Sequence, residues 1–147
     1  MCEVLAASHI SLMVTGSVAA GYRDAGRATM DVDAVMDPTP TQLSDFATRV
    51  ERAGLYVSAD AAQEALVVRG MYNVGDPASG WKADFLIRKA RPFSEAEFTR
   101  REEVALPGVP LAVTSVGNST TATLEKIKLG ASAREIEDAR ALLCINA

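Results

Sequence analysis

Residues 14–33 read VTGSVAAGYRDAGRATMDVD and contain two short motifs. Gly16-Ser17 closes the apolar run at residues 9–15, HISLMVT, and Asp31-Val32-Asp33 follows after residues 18–30. The run at 9–15 has the length of a strand, and Gly-Ser predicts a turn that opens a helix over 18–24. Apolar and polar residues alternate through TMDVDAVM, residues 29–36, which predicts a second strand.

The two aspartates of the second motif share one side of this predicted strand. Residues i and i+2 of a strand lie about 7 Å apart along the backbone and point the same way. Two such carboxylates repel each other unless a cation neutralises them, and hard oxygen ligands suit Mg²⁺ or Mn²⁺. Gly16 permits close approach of a bulky anion, and Ser17 begins a helix whose free N–H groups favour phosphate. Metal binding and phosphate binding are therefore predicted at neighbouring strand ends.

A third carboxylate would complete a site for two metal ions, and Asp84 is the best candidate. It lies in the middle of WKADFLI, residues 81–87, which alternates like a strand. An unpaired buried carboxylate is costly, so Asp84 needs a partner. Either a metal ion holds it, or it is a partly exposed strand residue that pairs with Lys82 or Arg88.

The rest of the chain alternates helical and extended patterns. The predicted elements are a helix capped by Thr39-Pro40 and ended by Gly54, a helix over 60–68, strands over 70–75 and 81–87, a helical turn over 94–101, a hairpin at Pro107-Gly108, and helices over about 120–129 and 132–144. This order predicts an α/β (α+β) fold, a mixed sheet flanked by helices with further helices at the C-terminus. We expect a single domain over residues 1–147, with a helical part at about 119–145.

The composition is that of an ordinary globular domain. Of 147 residues, 48% are hydrophobic and 23% charged, which excludes the disordered, collagen-like and disulfide-scaffold classes. No apolar run reaches the ~18 residues of a membrane span, and the first residues lack the basic region of a signal peptide. Cys2 and Cys144 form no C-x-x-C pair, so a cytoplasmic location is expected. The net charge of -4 argues against a broad nucleic-acid-binding surface.

Gly16-Ser17, Asp31-Val32-Asp33 and an acid on a later strand together resemble the nucleotidyltransferase superfamily, whose fold DNA polymerase beta shares. The stretch GSVAAGYRDAGRATMDVD is similar to small bacterial nucleotidyltransferase-like proteins of the minimal and toxin–antitoxin type. Residues 71–89 and 124–138 extend that similarity, which covers roughly residues 12–140. The resemblance implies a nucleotidyltransferase-type mixed sheet.

The resemblance also implies a role for each matching residue. The implied catalytic residues, which are also the implied ligands of Mg²⁺ or Mn²⁺, are Asp31, Asp33 and Asp84. The implied nucleotide-binding residues are Gly16, Ser17, Arg27, Thr29 and Lys126. Asp84 would in addition help to activate the acceptor hydroxyl.

Two functions from different classes follow. The first is metal-dependent transfer of a nucleoside monophosphate from a nucleoside triphosphate, such as ATP, to a hydroxyl of a protein, an RNA or a small molecule. The second is a catalytically weak or silent binding module, an antitoxin-like or regulatory protein that acts through a protein partner. The three aspartates favour the enzyme, whereas the short acidic chain is compatible with the module. A phosphohydrolase that uses the same metal ions is a third and weaker alternative.

Overall fold

The computed structural model describes residues 1–15, 31–106 and 109–115. The described helices are α1 (Cys2–Ser8), α2 (Pro40–Arg52), α3 (Ala59–Val68) and α4 (Pro92–Thr99). The described strands are β1 (Leu12–Thr15), β2 (Asp31–Met36), β3 (Tyr56–Val57), β4 (Met71–Gly75), β5 (Lys82–Ile87), β6 (Glu102–Leu106) and β7 (Val109–Val113). No helix in these ranges is long and apolar enough to cross a membrane.

The described strands form one seven-stranded sheet in the order β3-β4-β5-β2-β1-β7-β6. The pairs β2–β5 and β1–β7 are parallel, and the other neighbouring pairs are antiparallel. Strand β2 is thus an inner strand, with β1 on one side and β5 on the other. The prediction of a mixed sheet flanked by helices is confirmed.

One face of the sheet carries the hydrophobic core. Ala83, Phe85 and Ile87 alternate along β5 with Lys82, Asp84 and Leu86, and only the first three are buried in the core cluster. Helices α1, α2 and α3 pack their apolar residues against this face. Because successive strand residues point to opposite faces, the other members of β5 lie on the face turned away from these helices.

Phe85 is at the centre of the core and is 1% exposed. Its ring centroid lies 5.5 Å from that of Phe46 on α2, in an edge-to-face arrangement. Tyr72 of β4 stacks on it at 5.6 Å. The Tyr72 hydroxyl donates a hydrogen bond to the Met36 sulfur at 3.0 Å, and burial raises the pKa of this hydroxyl far above its usual range. The aromatic cluster therefore joins three strands to one helix.

Helix α2 begins as its sequence predicts, with Thr39 as the capping residue and Pro40 in the first turn. The Gln42 backbone N–H donates to Thr39 Oγ1 at 3.3 Å, and the Thr39 backbone N–H donates to Gln42 Oε1 at 2.9 Å. These reciprocal bonds form a capping box, which satisfies two N–H groups that have no partner within the helix. The helix ends at Arg52, and Gly54 follows at φ +76°, a conformation that favours glycine.

Thr39→Ala is expected to lower the free energy of unfolding by about 1 kcal/mol, because it removes the side-chain acceptor of this cap. The matched control is Thr41→Ala, an exposed threonine in the first turn of α2 that does not cap it. Urea denaturation of the two variants and the wild type measures the difference. Equal stability of the two variants would contradict a stabilising role for the capping box.

The N-terminal region differs from the prediction. The strand expected at residues 9–15 begins only at Leu12, and residues 2–8 form a short helix that the sequence pattern did not predict. His9, the first residue of the expected strand, instead ends this helix at φ 52°. Met1, Val4 and Leu5 pack against the core, and such tertiary contacts stabilise a helix too short to form alone.

The remaining elements agree closely with their sequence patterns. The strand predicted at 29–36 is described from Asp31, and the helix at 60–68 begins one residue earlier, after the capping residue Ser58. Strands β6 and β7 form the predicted hairpin, with Leu106 opposite Val109. The helical turn predicted at 94–101 is helix α4, which begins and ends two residues earlier. The turn of this hairpin at Pro107-Gly108 and the helices predicted at 18–24, 120–129 and 132–144 lie outside the described residues.

Candidate active site

A row of polar residues crosses four strands on the face opposite the core. The register pairs Thr15 of β1 with Asp33 of β2, Asp33 with Asp84 of β5, and Asp84 with Asn73 of β4. Directly paired residues point to the same face. The residues just before and just after Asp84 and Asn73 in their own strands are buried in the core, so Asp84 and Asn73 lie on the other face. Adjacent strands are about 4.8 Å apart, so the backbones of Asp33 and Asp84 are immediate neighbours.

Both oxygens of the Asp84 carboxylate have protein partners. Lys82 Nζ lies 3.2 Å from Asp84 Oδ2 in an ion pair, and Asn73 Nδ2 donates a hydrogen bond to Asp84 Oδ1. The Asp84 side chain is 16% exposed, whereas that of Lys82 is 46% exposed. The sequence left Lys82 and Arg88 as alternative protein partners of Asp84. In the structure, Lys82 forms the ion pair with Asp84.

Arg88, the other partner weighed for Asp84, belongs to a network beyond the opposite end of β5. Its Nε donates to Asp37 Oδ2 at 2.8 Å, and its Nη1 lies 3.5 Å from Glu95 Oε1. The hydrogen bond to Asp37 raises the pKa of the Arg88 guanidinium. Arg69 Nη1 also contacts Asp37, at 3.5 Å. This network links the ends of β2, β5 and α3 to α4. It includes none of the residues of the polar row.

The turn between β4 and β5 fixes the register that brings Asn73 to Asp84. The Asp76 carboxylate accepts hydrogen bonds from the Ser79 hydroxyl at 2.6 Å and from the Ala78 backbone N–H at 2.9 Å. The Ser79 bond, with a smaller effect of the Ala78 bond, lowers the pKa of Asp76. Gly80 closes the turn at φ +73°, and β5 then begins with Lys82 opposite Gly75. Asp76 is therefore a turn residue.

The two aspartates of this polar row, Asp33 and Asp84, are ligands that suit a divalent metal ion. The described ranges hold no group of three His, Cys, Asp or Glu side chains placed to bind a metal. The carboxylates of the row that the structure describes are those of Asp33 and Asp84. Asp31 lies in β2 opposite Lys82, and its side chain is outside the description. Mg²⁺ is commonly bound by one or two carboxylates together with water and substrate phosphates. The pair fits that chemistry.

The structure brings some of the predicted site residues together and leaves others outside the described ranges. Asp33 and Asp84 are register partners, and both are partly exposed. Thr15, the last described residue before Gly16, lies opposite Asp33. The predicted nucleotide-binding residues outside the described ranges are Gly16, Ser17, Arg27, Thr29 and Lys126.

Asn73 is the residue of this row that contacts Asp84 and that the sequence interpretation missed. The alternation of MYNVG, residues 71–75, shows that Asn73 lies on the face opposite Tyr72 and Val74. Its position beside Asp84 depends on the register across the six-residue connection from Asp76 to Trp81. Counting back from that turn would have found Asn73 once the pairing of Gly75 with Lys82 was known.

No protein-family model matches this chain, and no curated protein matches it. Among solved structures, a solution structure of the antibiotic-resistance factor ANT(2'')-Ia aligns with 99% of this chain and 81% of its own, at a TM-score of 0.64 and 14% identity. A crystal structure of ANT(2'')-Ia in complex with adenylyl-2''-tobramycin covers 98% of this chain and 86% of its own, at a TM-score of 0.58 and 15% identity. At these identities the likeness establishes the fold alone, a mixed sheet flanked by helices that this chain shares with ANT(2'')-Ia.

Proposed function

We propose that this protein transfers a nucleoside monophosphate from a nucleoside triphosphate to an acceptor hydroxyl, with a divalent metal ion held by Asp31, Asp33 and Asp84. The observation that carries the proposal is the register pairing of Asp33 with Asp84 on adjacent parallel strands. The pair lies on the face of the sheet opposite the core, in a chain with the nucleotidyltransferase fold. Since two neighbouring carboxylates repel each other, a site for a cation gives the pairing a chemical reason.

The reaction requires little covalent chemistry from the protein. The acceptor oxygen forms a bond to the α-phosphorus, the bond from that phosphorus to the bridging oxygen breaks, and pyrophosphate leaves. When bound, Mg²⁺ or Mn²⁺ neutralises the charge of the triphosphate and lowers the pKa of the acceptor hydroxyl. Asp84 accepts a hydrogen bond from that hydroxyl and takes up its proton. Asn73, which donates to the other Asp84 oxygen, keeps the carboxylate in orientation.

The phosphates of the nucleotide are assigned to the other predicted residues. Gly16 and Ser17 hold the triphosphate through backbone N–H groups. Arg27, Thr29 and Lys126 add contacts to the phosphates. ANT(2'')-Ia in its crystal structure holds an adenylylated tobramycin, and this chain aligns with most of that protein. We therefore take ATP as the first donor to test and an aminoglycoside hydroxyl as the first acceptor.

One observation favours the alternative of a catalytically silent binding module. Lys82 and Asn73 each contact one oxygen of the Asp84 carboxylate, as expected of an aspartate whose role is structural. Such a module, antitoxin-like or regulatory, would act through a protein partner. It would bind no nucleotide in a metal-dependent way.

Calorimetric titration of each of the four nucleoside triphosphates, with Mg²⁺ and with EDTA in its place, separates the two functions. The proposed enzyme binds at least one nucleotide only when Mg²⁺ is present. A second assay follows an α-³²P-labelled nucleotide into tobramycin, into RNA and into protein, which identifies the acceptor class. Absence of nucleotide binding by the folded protein would overturn the proposed enzyme. Release of labelled monophosphate without any labelled acceptor would indicate a hydrolase.

A further inference from the structure

We infer that Lys82 is a built-in counter-ion of the metal site, which occupies Asp84 until a divalent cation displaces it. This inference rests on the proposed function, since it assumes that Asp84 is a metal ligand. It adds a residue that sets how tightly the site holds metal. Lys82 is a positioning residue, because it acts on the metal site through the Asp84 carboxylate.

The two oxygens of Asp84 have partners of different kinds. Oδ1 accepts from Asn73, a neutral amide on a neighbouring strand, whereas Oδ2 pairs with the Lys82 ammonium at 3.2 Å. A divalent ion tolerates the first partner, because Asn73 carries no charge. It repels the second. Oδ1 is therefore the fixed oxygen of the carboxylate, and Oδ2 is the oxygen that changes partner.

The Lys82 ammonium is placed where it can move away from the Asp84 carboxylate. Its side chain is 46% exposed, against 16% for Asp84, so the ammonium can move into water without crossing a packed region. The residue lies two positions before Asp84 on the same face of β5. On one side its strand neighbour is Gly75, which has no side chain, and on the other it is Asp31. A lysine ammonium on a flexible stem is a compact charge suited to such exchange.

Charge arithmetic gives the consequence. Without metal, the ammonium offsets part of the repulsion between Asp33 and Asp84. With a divalent ion at the same carboxylates, the ammonium becomes a like charge a few ångströms away. Removing it should therefore tighten metal binding by about fivefold to tenfold, since a partly exposed charge is strongly screened. The same change should slightly lower the stability of the metal-free protein.

The test measures binding of Mn²⁺ alone to the full chain, by paramagnetic resonance of the free ion at constant ionic strength. Lys82→Gln removes the charge, and Lys82→Arg retains it. Lys89→Gln is the matched control, because Lys89 is an exposed lysine beyond the far end of β5. Thermal unfolding of every variant without metal verifies that it folds, and the same scan with Mn²⁺ measures the stabilisation on binding.

We expect Lys82→Gln to bind Mn²⁺ about fivefold to tenfold more tightly than the wild type and to gain more thermal stability from it. Lys82→Arg and Lys89→Gln should stay within about twofold of the wild type, since both keep the local charge. Unchanged or weaker Mn²⁺ binding by folded Lys82→Gln would overturn the inference while leaving the proposed enzyme intact, because the wild type still binds. Absence of Mn²⁺ binding by the wild type and every variant would overturn the inference, and the calorimetric titration with Mg²⁺ and nucleotide then decides separately whether the proposed enzyme stands.

Discussion

Asp84→Asn should weaken binding of the Mg²⁺–nucleotide complex at least about 100-fold and abolish detectable transfer, since it removes a full negative charge from the metal site. By the conversion of 1.36 kcal/mol per factor of ten, this is about 2.7 kcal/mol or more of binding free energy. The variant should still fold. Its amide oxygen can accept from Asn73 as the carboxylate does, and the partly exposed ion pair with Lys82 contributes little stability. Calorimetric titration measures the loss.

Asp31→Asn and Asp33→Asn should behave in the same way, because the proposal places all three carboxylates on the metal. The matched control is Asp45→Asn, an exposed aspartate on α2, in the helical layer on the opposite face of the sheet. It should bind the nucleotide as the wild type does. If Asp84→Asn folded and bound the Mg²⁺–nucleotide complex with wild-type affinity, the role of Asp84 as a metal ligand would be wrong, and the binding-module alternative would gain.

Phe85→Ala is expected to have the largest effect on stability, a loss of about 3–5 kcal/mol in the free energy of unfolding. The phenyl ring is almost fully buried between Phe46 and Tyr72. Its removal leaves a cavity that the surrounding strands and α2 can fill only in part. Since a domain of this size is stable by only about 5–15 kcal/mol, this loss is about a fifth or more of the total. Guanidinium denaturation at a fixed temperature measures it.

Two further variants show whether this loss reflects the core face alone. Phe85→Leu should cost much less, because it retains most of the buried apolar volume. Leu86→Ala, at the next position of β5 and on the opposite, partly exposed face, should also cost less than Phe85→Ala. A loss in Leu86→Ala as large as that in Phe85→Ala would show that the two faces of the sheet are packed equally. That result would contradict the assignment of the second face to a site open to substrate.

The separation of the two faces explains why Asp33 and Asp84 occupy strand interiors. Strand β5 is anchored in the core by Ala83, Phe85 and Ile87, so the backbone that carries Asp84 is rigid. Strand β2 is held in the same way through Ala34 and Met36. The backbones of two such strands therefore set the spacing of the carboxylate pair. Packing on one face thereby positions chemistry on the other.

Most of the individual helices and strands could be predicted from local patterns, and most of their partnerships could not. The cap at Thr39, the helical stripe of α2 and the alternation of β5 are properties of neighbouring residues, and each produced an element close to its predicted bounds. Helix α1 was missed because its stability comes from Met1, Val4 and Leu5 packing on a core made by distant residues. The two-residue strand β3 is too short to leave a periodic signal.

The candidate site divides along the same line. That Asp31 and Asp33 lie on one strand, and that Asp84 shares a face with Lys82, follow from the period of two along an extended chain. That Asp33 and Asp84 are direct partners, with Asn73 on the far side and Thr15 on the near side, depends on the register of four strands. Register is set by long-range pairing and by the geometry of turns, and no local pattern contains it. The acidic residues could therefore be identified from the sequence alone. The folded sheet decided how they assemble into one row, with Lys82 and Asn73 as the partners of Asp84.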